Sequence, residues 1–176
     1  MKIFKDKKDN LRNNEGGVYA LGNFDGVHLG HKEIISKVNK ISRSKNIPSG
    51  VLIFDPHPRN YFNPDLNNFI LSDINTRSYL LEKNELDYLG ILTFNKEMSD
   101  LSPRDFIEKI IKNRVGVSHL IVGYNFRFGK NRKGDIEILS KICGEFNIDL
   151  TVIEQVKNKE LTISSSKVRE AIEGLD

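Results

Sequence analysis

The chain predicts an α/β fold: a doubly wound, mostly parallel sheet with helices on both faces. Three observations carry this. Short apolar runs recur along 176 residues. They alternate with segments whose apolar residues repeat at helical spacing. The runs are continuous rather than alternating, as in strands buried on both sides.

Residues 1–16 are polar and are expected to start the chain loosely. Val18-Tyr19-Ala20-Leu21 reads as a buried strand stopped by Gly22-Asn23. From Gly30 to Ser44, Ile34, Ile35, Val38 and Ile41 share one helical face, and Asn46-Ile47-Pro48 ends that helix. Val51 to Phe54 is a second strand. Ser72 to Lys83 reads as a helix with Ile74, Leu80 and Leu81 inward and an N-terminal Ser-Asp. Leu89 to Phe94 is a strand. Ser102-Pro103 opens a helix in which Phe106, Ile107, Ile110 and Ile111 share a face; Pro in the first turn loses no needed N–H. His119 to Val122 is a strand, Asp135 to Phe146 a helix, Leu150 to Val156 a strand, and Ser164 to Ile172 a last short helix.

Composition narrows the function. Hydrophobic residues are 38% and charged residues 29%, enough for one core and unlike a disordered chain. No apolar run approaches the roughly 20 residues of a membrane helix. The Lys- and Asp-rich N-terminus lacks the apolar stretch of a secretory signal. One cysteine, Cys143, excludes an internal disulfide and fits a reducing, cytoplasmic setting. A net charge of +3 is too small to argue for nucleic acid by itself.

In a parallel sheet, ligands sit beyond the carboxyl ends of the strands. Four segments lie there. The first, Gly22-Asn23-Phe24-Asp25-Gly26-Val27-His28-Leu29-Gly30-His31, leads into a helix N-terminus, which attracts phosphate. Gly22, Gly26 and Gly30 let backbone approach a ligand. His28 and His31, three apart, can turn to one side and donate to phosphate. A surface pair or a helix cap is one competing reading; half a zinc site is another, and no Cys or further His cluster supports it.

The second segment, Phe54-Asp55-Pro56-His57-Pro58-Arg59-Asn60-Tyr61-Phe62, is expected to be a rigid extended loop. Its aromatics suit a planar ring. The third, Gly123 to Asp135, interleaves Tyr124, Phe126 and Phe128 with Arg127, Lys130, Arg132 and Lys133. It could stack bases of a single strand, bind one nucleotide, or be a solvated loop. The fourth, Ile163-Ser164-Ser165-Ser166-Lys167-Val168-Arg169, opens the last helix as a cap or a second phosphate cradle.

These segments resemble a known family. His28-Leu29-Gly30-His31 looks like the HxGH signature of nucleotidyltransferases. The longer GNFDGVHLGH is similar to the opening motif of bacterial FMN adenylyltransferase, the FAD synthetase module of bifunctional riboflavin kinase/FAD synthetases. Phe54 to Pro58 resembles the family's F-D/E-P-H-P segment. Gly123 to Gly129 resembles VGxDFxFG, with Asn125 at the Asp position. Residues 163–169 resemble ISSTxIR, with Ser166 for Thr and Val168 for Ile.

The resemblance implies a Rossmann-like nucleotidyltransferase fold that joins FMN to the AMP part of ATP, giving FAD and pyrophosphate with Mg²⁺. It implies His28, His31 and Arg169 as catalytic residues. ATP would meet Gly22, Asn23, Phe24, Asp25, Gly26, His28, Gly30, His31, Gly123, Ser164, Ser165, Ser166 and Arg169. FMN would meet Phe54, Pro56, His57, Pro58, Phe62, Asn125 and Phe128. Metal ligands are not evident. Residues 1–176 are expected to be one such domain without a riboflavin kinase barrel. The partners expected are small molecules, not nucleic acid or membrane, with riboflavin kinase on a separate domain or protein. Another phosphorylated substrate, or a regulatory flavin-binding lobe, remains open.

Overall fold

The computed structural model describes residues 1–5, 16–65, 70–154, 157–158 and 161–162. Six strands form one sheet: β1 (Lys2–Lys5), β2 (Val18–Leu21), β3 (Ser49–Asp55), β4 (Tyr88–Thr93), β5 (His119–Gly123) and β6 (Asp149–Ile153). Their spatial order is β1-β4-β3-β2-β5-β6, and every neighbouring pair is parallel. The chain runs outward from β2 to β3 and β4, then crosses back to β5 beside β2. That reversal is the topological switch point, where such sheets bind ligands.

The helices are α1 (Leu29–Lys45), α2 (Pro58–Phe62), α3 (Ile74–Glu82), α4 (Lys96–Asp100), α5 (Pro103–Asp105) and α6 (Ile136–Glu145). A π-helical stretch, Phe106–Val115, continues α5. Strand residues alternate between two cores. Val18, Ala20, Val51, Ile53 and Ile121 pack with Ile35 and Val38 of α1 and Leu81 of α3. Tyr19, Leu21, Leu52, Leu120 and Val122 pack with Phe106 to Ile111 and with Leu139 and Ile142 of α6. Helices therefore cover both faces, as the periodicity predicts.

Three expectations are corrected. Residues 2–5 are not loose: β1 lies along β4 as an edge strand. Only Phe4 is buried there, against the open face of Gly90, so one apolar side chain carries the strand. The loop 56–62 is not extended throughout. Pro58 begins α2, and His57 Nδ1 accepts the Arg59 N–H as its cap. The last long strand stops at Ile153 rather than Val156. Helix α4, capped by Asn95 Oδ1 on the Met98 N–H, has no counterpart in the sequence reading. Among the described residues, no helix is long and apolar enough to cross a membrane. The expected helix after Ser164 lies outside the described residues.

Candidate active site

The first strand exit is a strained, tightly held turn. Gly22 continues β2 by donating to Leu52 O at 3.1 Å. Phe24, Gly26 and Val27 then adopt φ of 49°, 76° and 40°. The left-handed region suits glycine, and a β-branched residue there is a genuine outlier. His28 is the extended residue before α1, and its carbonyl accepts the N–H groups of His31 and Lys32. The two imidazoles stack, with centroids 3.7 Å apart and planes 18° apart. Buried Phe24 lies under His31 at 4.9 Å. The i, i+3 spacing thus brings both rings together, as expected.

Burial, then the adjacent His28, pushes the His31 pKa down to about 3, against the opposing pull of Asp25. His31 is therefore a neutral ring at physiological pH, with one N–H to donate. Its Nδ1 is buried without a hydrogen-bond partner among the described residues. A buried polar atom left unpaired costs about 1–3 kcal/mol, so the site holds capacity for an incoming group.

Asp25 does not face outward. Its carboxylate is 1% exposed and accepts from Leu71 N–H, Ser72 N–H and Ser72 Oγ at 3.0, 2.9 and 3.0 Å. Asn23 is half-buried, with Oδ1 unpartnered among the described residues. Gly30 sits half-buried in the first turn of α1.

The second exit meets the third through aromatic rings. Phe54 is the penultimate residue of β3, ahead of a cis Asp55–Pro56 bond. Phe94, just past β4, touches Phe54, Tyr61 and Phe62 edge-on at 5.6, 5.3 and 5.8 Å. Phe54 reaches Phe106 at 6.1 Å, Phe106 reaches Phe128 at 5.9 Å, and Phe126 stacks on Phe128 at 5.5 Å. Seven rings thus run along the sheet's carboxyl edge. Phe62, at one end, is 62% exposed. The sequence reading gave Phe94 and Phe106 no part in this. Phe94 carried a usable signal, since the sequence places it at the carboxyl end of an expected strand, although β4 itself ends at Thr93.

In the third exit, Gly123 ends β5 and leaves room for Asn125, whose Oδ1 lies 3.6 Å from where a Cβ would stand. Asn125 is exposed and Phe128 buried. Two of the loop's four cations are paired: Lys130 with Asp100 at 2.9 Å, and Arg127 with Asp135 at 3.3 Å. Ser164, Ser165, Ser166 and Arg169 lie outside the described residues. Burial raises the Cys143 thiol to about 11, which leaves it protonated and unreactive. A groove of about 660 Å³ runs along α1 past Lys32, Asn39 and Arg43, and none of the candidate site residues lines it.

No group of three or more His, Cys, Asp or Glu stands together among the described residues. Both oxygens of Asp25 are already engaged. Neither observation fits a protein-built cage for a divalent ion.

A parallel sheet whose switch point feeds a glycine-containing turn, two stacked imidazoles and a helix N-terminus defines an α/β protein of the nucleotidyltransferase kind. The FAD synthetase family profile matches residues 10–167, and the chain belongs to that family. It is 32% identical to the bifunctional riboflavin kinase/FMN adenylyltransferase of Escherichia coli K12 over 90% of this chain and 50% of that protein. It is 33% identical to the protein of the same name from Pseudomonas fluorescens over 95% of this chain and 54% of that one. The corresponding Buchnera aphidicola protein (from Schizaphis graminum) is 30% identical, over 98% and 55%. The chain thus spans about half the length of these relatives. A crystal structure described as a macrolide-efflux protein from Streptococcus pneumoniae superposes with a TM-score of 0.81 at 24% identity, over 97% of this chain and 55% of that one. At that identity the likeness concerns the fold alone.

Proposed function

We propose that this chain transfers AMP from ATP to FMN, giving FAD and pyrophosphate. The observation that carries the reading is a juxtaposition on one sheet edge. A phosphate-type helix start with two imidazoles and a run of aromatic rings leave neighbouring strand ends. ATP needs the first and an isoalloxazine ring suits the second.

The FMN phosphate oxygen is already anionic, so its in-line attack on the α-phosphorus needs no general base. One P–O bond forms as the bond to the pyrophosphate oxygen breaks. Negative charge grows on the α-phosphate oxygens and on the leaving group. His28 and His31 meet it as imidazole donors, aided by the free N–H groups at the start of α1. His31 acts as a neutral donor, because burial keeps it unprotonated. Catalysis is then positioning plus charge stabilisation. By resemblance, Ser164 to Ser166 and Arg169 supply a second phosphate cradle. Mg²⁺ belongs with the ATP, since it is usually held by substrate phosphates, several waters and only one or two carboxylates. Cytoplasmic placement and FMN supplied by a riboflavin kinase complete the proposal.

Incubation with FMN, ATP and Mg²⁺, followed by chromatography for FAD, tests it. FAD is expected from FMN and ATP. An absence of FAD with the folded chain overturns the reading.

A further inference from the structure

Leu71 and Ser72 are distant in sequence from the histidine pair, yet they hold its turn. Besides the three bonds to Asp25, Ser72 Oγ accepts the Gly26 N–H at 3.0 Å. Beneath this strap lies Arg77 of α3, 3% exposed. Its Nη2 donates to Ser72 O at 2.9 Å and stands 3.9 Å from Asp25 Oδ1. Its Nε has no hydrogen-bond partner among the described residues.

This arrangement answers a question posed by the backbone. Phe24, Gly26 and Val27 all take left-handed φ immediately before His28. Such conformations persist only where the surroundings over-determine them. Here the surroundings are one buried carboxylate, the strap it grips, and a buried guanidinium that opposes its charge. A buried carboxylate without an opposing charge would be driven towards its protonated form, and its grip on two backbone N–H groups would weaken.

We propose that Arg77 is a positioning residue for the transfer assigned to His28 and His31: it opposes the charge of Asp25, holds Ser72, and so fixes the turn that carries both imidazoles. The inference rests on the adenylyltransferase reading above for its rate effect, but not for its effect on the turn. The charged and titratable groups facing His31 are His28, Asp25 and Arg77. Those facing Arg77 are Asp25, Asp55 at the end of β3, and Asp73. Asp25 favours the protonated His31 ring and Arg77 disfavours it. Removing the cation leaves Asp25 unopposed.

The test pairs an NMR titration of the His31 imidazole with steady-state kinetics of FAD formation, on wild type, Arg77→Met and Arg77→Lys. Arg77→Met is expected to raise the His31 pKa and to lower kcat by about 10–100-fold, the scale of a small misplacement. KM for ATP should change much less. Arg77→Lys keeps the cation but loses the planar fork, so it should leave the His31 titration in place and still lower kcat. A folded Arg77→Met with wild-type titration and kcat overturns the proposal. If Arg77→Met does not fold, Arg77→Lys decides, and wild-type kcat in that variant overturns it. If wild type makes no FAD, the adenylyltransferase reading fails by itself. The titration arm then decides the positioning role: an unmoved His31 overturns it.

Discussion

The two halves of the candidate site are held in opposite ways. The turn before α1 is buried and strained, and is bound by hydrogen bonds to Leu71 and Ser72, with Arg77 in turn holding Ser72. Among the described residues, the aromatic run from Phe62 to Phe126 has no such network. Its rings hold one another edge-on around Phe94 and by tilted or stacked contacts further along, and one end lies in solvent. The difference follows from what each half must recognise. Charge developing on a phosphate is stabilised best by donors that need not move. A flavin ring offers broad apolar area, which tolerates looser partners.

This contrast can be broken by mutation. His31→Ala should lower turnover about 10²–10³-fold, the usual cost of losing one such donor, with FMN affinity nearly intact. An unchanged rate would return His31 to a merely structural place at the helix start. Phe62→Ala and Phe94→Ala should weaken FMN by about tenfold, near the value of an aromatic pair plus its burial, and leave ATP unchanged. Isothermal titration with each ligand separately reads this out. His57→Ala should act on the same ligand indirectly, because it removes the cap of α2 rather than a ring. Asn125→Asp should leave the rate within about tenfold, under ~1.4 kcal/mol of barrier, since the mechanism needs no base. Asn125→Leu should cost more, through its lost hydrogen bonds. A gain of orders of magnitude on Asn125→Asp would show a charge-dependent role at that position.

A separate effect is expected on stability. His31 titrates near 6.5 when unfolded and near 3 when folded. The unfolded chain therefore binds the extra proton first, and stability falls as pH drops from 6.5 towards 3. Chemical denaturation across that window should show a shallower pH slope for His31→Gln than for wild type. Equal slopes would place the ring in water rather than in the buried stack.

Much of this was legible in the sequence. Val18–Leu21, Val51–Phe54 and Leu120–Val122 are apolar throughout because both faces of the sheet are covered, and that is what a parallel sheet writes into a chain. The histidine spacing also carried over, since a helix start fixes i and i+3 on one side. The rest depended on tertiary contacts. Lys2–Lys5 hides an edge strand because only Phe4 turns inward. Pro58 reads as loop but serves as a helix start once His57 caps it. Asp25 reads as a polar residue of a ligand loop, and only the fold reveals Ser72 and Arg77 around it. Arg77 itself looks like any charged residue in a short helix.

A crystal structure with FMN and the non-cleavable α,β-methylene analogue of ATP would test the division between the two halves most directly. The isoalloxazine is expected against Phe54, Phe62 and Phe94, with the α-phosphate at His28, His31 and the start of α1. An isoalloxazine bound away from those rings, or a triphosphate away from the two histidines, would contradict it.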